Sequence, residues 1–226
     1  MDKHRGNTSL FFLSLKAKIM QIRALDHAVE LLYHPLASEI PTKRLALEAI
    51  RDLFTYLPLS KSDPSDADVR QKLFLAAYAS LFPFLYTGGV GLSHSIGHAL
   101  GATYSIPHGI TSCLTLAPVV KLKAKTRKDE AKMIARAIPY IGKETTGIVE
   151  DDADAVGDAI AALVEGLGHK STLTQVCGLY ECKASSLTLE IVQRTTGRGG
   201  VDCLARFGKG SGASGFPKWY VLNFSG

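Results

Sequence analysis

No Cys-x-x-Cys pair occurs in this chain, and Cys113, Cys177, Cys182 and Cys203 fit neither zinc-ribbon spacing nor a disulfide framework. Four isolated cysteines predict reduced structural thiols, and hence a cytoplasmic protein. Long apolar runs are equally scarce: none approaches the ~20 residues that a membrane helix needs. Lys3, His4 and Arg5 precede the short run Leu10-Phe11-Phe12-Leu13-Ser14-Leu15, but Lys16 and Lys18 follow it and no small-residue cleavage pattern is present, so no secretory leader is expected. The net charge of +5 comes from scattered lysines and arginines, without a basic block or interleaved aromatics, which argues against nucleic-acid binding. The roughly twenty residues ahead of the first expected helix contain no glycine-rich phosphate-loop pattern, and no alternating run bounded by hairpin turns predicts a strand.

The 226 residues, 46% of them hydrophobic, are enough for a sizeable core. From Lys16 to Tyr33 apolar residues recur at Ile19, Ile22, Leu25, Val29 and Leu32, a helical period that Pro35 ends. Thr42 is placed to cap a second helix through Leu45, Ala46, Ala49, Ile50, Leu53 and Leu57, with Pro58 as its stop. Ser65 and Asp68 resemble a capping box ahead of Val69 to Phe84, apolar on nearly all sides and therefore expected to be central and buried. A fourth helix carries Gly97 and Gly101, a small edge that invites close backbone approach. A fifth follows Pro107 through Ile110, Leu114 and Leu116, with Pro118 as a kink or end. Further helices are expected at Lys128 to Ile138, Ala153 to Val164 and Ser185 to Gln193. From Thr195 to Gly226 eight of the 21 glycines gather without helical period, which predicts a disordered tail over 195–226.

Chemistry concentrates between Gly91 and Gly109, where His94, His98 and His108 hold three of the seven histidines within fifteen residues. His94 and His98, four apart, share a helix face, and His108 stands at the mouth of the next helix. Imidazoles suit iron, zinc, copper or nickel when three or four ligands converge from different elements; His27 on the first helix is the further candidate. The spacing His94-x-x-x-His98 lacks the glutamate of a zinc protease. Taken singly, each histidine is better explained as a hydrogen-bonded structural residue; together with the glycines, the set points towards a site.

Gly91-Leu92-Ser93-His94 through Pro107-His108-Gly109, with Arg23-Ala24-Leu25-Asp26-His27-Ala28-Val29-Glu30 upstream, resembles the C-terminal helical domain of the iron-containing alcohol dehydrogenases, nearest to their maleylacetate reductase branch. The resemblance runs from Ile22 to Arg194. It leaves 1–21 as an unmatched segment, 22–194 as the helical domain and 195–226 as the tail. It implies an all-α, multi-helical fold of the dehydroquinate synthase C-terminal type and an oxidoreductase that uses NAD(P)H on a small anionic substrate. His27, His94 and His108 fall on the family's metal-ligand positions, and His98 on the histidine associated with the nicotinamide and proton relay. The family's aspartate ligand is here Arg23, whose guanidinium has no lone pair to give a cation.

Two outcomes stay open: three imidazoles and water hold iron or zinc, or the pocket is metal-free and Arg23 with protonated histidines grips a carboxylate while His98 relays a proton. Asp26, adjacent to His27, is expected off the site face as a surface charge. Glu30 is either a partner orienting His27 or a solvated position. The resemblance further implies an N-terminal α/β dinucleotide-binding domain, which this sequence is expected to lack. The chain is then read as truncated, acting with a partner that supplies that half. The alternatives are a cofactor-free enzyme on an anionic substrate and a non-catalytic module that self-associates.

Overall fold

The computed structural model describes residues 21–83, 91–173 and 175–176, and the helices expected at 16–20 and 185–193, like the glycine-rich tail, lie outside them. Among the described residues there is no strand. The first helix, α1, occupies 21–33 and is buried on almost every side. A wide turn, Glu39–Lys43, leads into α2, Arg44–Ser62, and α3 follows as Ala67–Leu81. Then come α4, Leu92–Tyr104, α5, His108–Thr126, and α6, Lys128–Ala135. A single 3-10 turn, Ile138–Ile141, precedes α7, Val149–Gly166. None of these helices is long and apolar enough to cross a membrane.

Two apolar clusters organise the packing. The larger draws Ile22, Leu25, Val29 and Leu32 of α1 onto Leu53 and Leu57 of α2, Leu116 and Val120 of α5, Ile134 of α6 and Ile160 of α7. The smaller joins Leu92, Ile96 and Leu100 of α4 to Leu114 and Val119 of α5 and to Val176. The polar side chains of α1 lie between the two, where α1, α4 and α5 meet. Gly97 lets α4 lie against α5: a β-carbon there would come to 2.8 Å from the Thr111 hydroxyl and 3.4 Å from the His108 ring.

The prolines and caps depart from the sequence reading. Pro58 lies inside α2 and Pro118 inside α5, and neither ends its helix. Each costs one backbone hydrogen bond and a clash one turn back. Buried apolar residues, Leu53 and Leu57 before Pro58, and Leu116, Val119 and Val120 around Pro118, hold the helices through the defect. Thr42 caps nothing; its hydroxyl accepts from Ser38 at 3.1 Å, one residue short of the first turn of α2. Asp66, not Ser65, caps α3, accepting from the backbone N–H of Asp68 at 2.9 Å and of Val69 at 3.0 Å. The helix expected at Lys128 to Ile138 also divides differently: α6 stops at Ala135, and the chain tightens into the 3-10 turn that contains Pro139.

The larger correction concerns α3, which is peripheral rather than central. Its Val69, Leu73 and Ala76 pack on the core, while Phe74, Leu75, Tyr78 and Leu81 are exposed. A helix apolar all round gives no periodicity from which to tell its inner face, and only the position of α2 decides it. Adjacent residues therefore differ sharply in worth. Leu73, 0% exposed, should lose about 2–5 kcal/mol of stability as Leu73→Ala. Phe74, 73% exposed, should change by less than about 0.5 kcal/mol as Phe74→Ser. Urea denaturation of the two variants checks this, and equal losses would place α3 inside the core after all.

Candidate active site

On α1 the residues Arg23, Asp26, His27 and Glu30 are spaced i, i+3, i+4 and i+7, which at 100° per residue puts all four within one arc of about 100°. The face is centred on Glu30 rather than on His27. Asp26 is consequently inside it: it is 0% exposed, not the surface charge that adjacency to His27 suggested. Glu30, 1% exposed, is no solvated position either.

Glu30 meets the start of α4. Its carboxylate accepts the backbone N–H of Gly91 at 2.7 Å and of Ser93 at 2.8 Å, with that of His94 at 3.4 Å. The same carboxylate stands 2.8 Å from Nδ1 of His94. Glu30 thus partners His94, where the sequence suggested His27. No side chain of α4 itself caps this end. Gly91 is required by the arrangement, because a β-carbon there would fall 2.5 Å from the Glu30 carboxyl carbon.

Asp26 closes the other side. One of its oxygens accepts the Ser93 hydroxyl at 3.0 Å, and the other is 3.4 Å from Nδ1 of His94. The Ser93 hydroxyl also lies 2.8 Å from that of Thr115, which donates to the Thr111 carbonyl at 2.9 Å. Ser93 and Thr115 were missed in the sequence because each sits in a helix among apolar neighbours. Their one legible sign is a hydroxyl on a face that otherwise reads as core.

The four histidines expected at the site come together. The rings of His27 and His94 are 4.5 Å apart at 17°, and those of His94 and His108 are 5.2 Å apart at 64°. His98 and His108 are 4.7 Å apart, with His98 6.4 Å from His94. His94 and His27 are buried, His108 is half-buried and His98 is exposed, so the cluster opens to solvent past His98. Arg23 is half-buried, and its Nε is buried without a hydrogen-bond partner.

Charge is divided unevenly among these rings. Burial opposes a charge on His94, yet the charge and hydrogen bond of Asp26, joined by those of Glu30, carry it up to about 10. Burial, the charged His94 and the Arg23 guanidinium push His27 down to about 3. His108 falls to about 4 through burial, Arg23 and His94, and His98 is lowered by burial, His94 and Arg23. At neutral pH the cluster is one imidazolium and three neutral rings beside a guanidinium.

The ligand set that the sequence resemblance implies, His27, His94 and His108, is not the set that this geometry groups. Among the described residues, the group whose candidate ligand atoms lie within 4.8 Å of one another is Asp26, Glu30 and His94; His27 and His108 do not join it. Nδ1 of His94 faces two carboxylates, and Arg23 adds positive charge that repels a dication.

The titrations give stability a maximum in pH. His94 is raised, so its contribution is complete below about 6.5 and lost as pH climbs toward 10. His27 and His108 are lowered, so the unfolded chain binds more protons below about 6.5, and stability falls as pH drops toward 4 and 3. Thermal unfolding of chelator-treated protein should therefore show its highest midpoint near neutral pH with a decline on both sides; a flat alkaline limb would contradict the charge on His94. Separately, Gly91→Ala should cost about 1–3 kcal/mol in urea denaturation, because the methyl displaces the Glu30 carboxylate.

Comparison with known proteins agrees with this architecture. The C-terminal domain of the Fe-containing alcohol dehydrogenase family matches residues 20–188. The NAD-dependent methanol dehydrogenase of Bacillus methanolicus is 31% identical over 142 residues, 62% of this chain and 35% of that enzyme. Among solved structures, the alcohol dehydrogenase from Oenococcus oeni superposes with a TM-score of 0.72 at 19% identity, covering 92% of this chain and 50% of that one. Maleylacetate reductase from Rhizobium sp. strain MTP-10005 gives 0.63 at 17% identity, with the same two coverages. The chain spans 30% to 45% of the length of the curated relatives it matches. With its all-helical fold and the match over most of its length, this chain belongs to the Fe-containing alcohol dehydrogenase family, in the region of that family's C-terminal domain.

Proposed function

We propose that this chain forms the substrate-facing wall of a nicotinamide-dependent carbonyl reductase that acts on a carboxylate-bearing substrate, of the maleylacetate type, without a catalytic metal. The observation that carries the reading is Arg23: a half-buried guanidinium, its Nε without a partner, whose charge reaches His27, His98 and His108 at once. A guanidinium binds a carboxylate through two parallel hydrogen bonds and cannot bind a cation. The relatives' printed names are mostly those of alcohol dehydrogenases, so membership of the family supports oxidoreduction and Arg23 supports the anionic substrate.

A bound NAD(P)H supplies the hydride that reduces the substrate carbonyl. Arg23 holds the substrate carboxylate, and His98, at the solvent-facing edge of the cluster, passes a proton to the carbonyl oxygen directly or through water. His98 is held below its ordinary pKa by burial, His94 and Arg23, so it is mainly neutral at physiological pH and its proton is drawn from solvent during turnover. The dinucleotide pyrophosphate belongs with the α/β half that the family resemblance implies, beside this helical wall.

The test is NADH consumption with a keto acid and with its uncharged ester, in the presence of any partner that restores NADH binding. Arg23→Gln should raise KM for the acid about 10- to 100-fold and leave the ester nearly unchanged. His98→Ala should lower kcat about 100-fold or more. Equal effects of Arg23→Gln on acid and ester would sink the carboxylate assignment, and bound iron or zinc in stoichiometric amount by elemental analysis would sink the metal-free one.

A further inference from the structure

We propose that Glu30 is a positioning residue that sets the ring plane of His94 and keeps a proton on its Nδ1, and that it does so through the same carboxylate that anchors the first turn of α4. A carboxylate accepts and does not donate, so an Nδ1 atom 2.8 Å from Glu30 must carry a proton. Asp26, 3.4 Å from the same nitrogen, presents a second acceptor. The proton on Nδ1 is therefore held between two carboxylates, and the ring is turned so that Nε2 faces away from both.

The geometry is built rather than incidental. Glu30 reaches across 61 to 64 residues of sequence to Gly91, Ser93 and His94, and the two backbone bonds at 2.7 and 2.8 Å fix where its carboxylate sits before the ring is considered. Gly91 leaves the space, since any β-carbon there overlaps the carboxyl group. The Tyr33 hydroxyl, one turn along α1, donates to the same carboxylate at 3.3 Å. The ammonium of Lys123 lies 4.3 Å above the Tyr33 ring and pairs with Glu130, which ties this support to α5 and α6. On the far side the Ser93 hydroxyl, donating to Asp26 and lying 2.8 Å from Thr115, holds the second carboxylate in register. Both ends of the His94 backbone and ring are thus referred to one helix, α1. The assignment does not require the reduction proposed above, because its readout is the His94 ring itself.

Imidazole 15N–1H spectra of the full chain, labelled at histidine and assigned with His94→Gln, test it. The wild-type protein should show a slowly exchanging proton on Nδ1 of His94. Glu30→Gln removes the charge and places an amide donor against donors; exchange of that proton should quicken about tenfold or more, with helical circular dichroism retained. Ser95→Ala is the control for a merely structural role: it removes the 2.9 Å bond from the Ser95 hydroxyl to the Gly91 carbonyl in the same helical turn, and should leave the His94 signal in place. If Ser95→Ala and Glu30→Gln shift the ring alike, or Glu30→Gln folds and leaves it unmoved, the proposal is overturned. Should Glu30→Gln fail to fold, the wild-type spectrum decides alone: a bare Nδ1 with the proton on Nε2, or an Nδ1 proton lost stoichiometrically on adding Zn2+, overturns it.

Discussion

A single buried carboxylate, that of Glu30, holds the architecture of the site together. A helix begins with backbone N–H groups that its own turns cannot satisfy, and burying them bare is costly. Here those of Gly91 and Ser93 are satisfied by a side chain more than sixty residues away, which makes the position of α4 a consequence of the position of α1. The negative charge is well placed at the positive end of the helix, and the helix in turn stabilises a carboxylate that has no water around it. Everything that α4 carries toward the cluster, His94 first and His98 one turn later, inherits its place from this contact.

The second organising feature is the sign of the charge. Asp26 and Glu30 keep His94 cationic, and burial, together with that cation and Arg23, keeps the other three imidazoles neutral. A family built around a bound cation is represented here by a site in which the carboxylates face a histidine and a guanidinium stands where the resemblance implies an aspartate. Arg23 and the carboxylate pair lie on one face of one helix, so the two cations, Arg23 and His94, balance the two carboxylates within the site. His98 and half-buried His108 then form the edge at which a ligand arrives.

Much of the helical frame was legible from spacing. Apolar periodicity places α1, α2 and α7, and the offset between His94 and His108 assigns the helix pair that carries them. Prolines misled the reading at residues 58 and 118 because local cost was weighed without the packing that outweighs it. The inner face of α3 was not readable at all, since a helix apolar on both sides carries no directional signal. Asp26 was misjudged for a related reason: adjacency to His27 was taken as opposition, although the arc of the site is wide enough to hold both.

By itself, the sequence determined the helical class and the set of histidines, which depend on spacing along the chain, and its motifs carried the resemblance to the family. Tertiary structure alone decided which carboxylate meets which ring. Hydrogen bonds to Gly91, Ser93 and His94 form across more than sixty residues, and their 2.7 to 2.8 Å reach depends on how α1 and α4 cross. That crossing is set by the apolar residues on the opposite sides of both helices. The chemistry of the polar face is thus written in the sequence as a list of groups, and the packing of the apolar faces turns that list into partners.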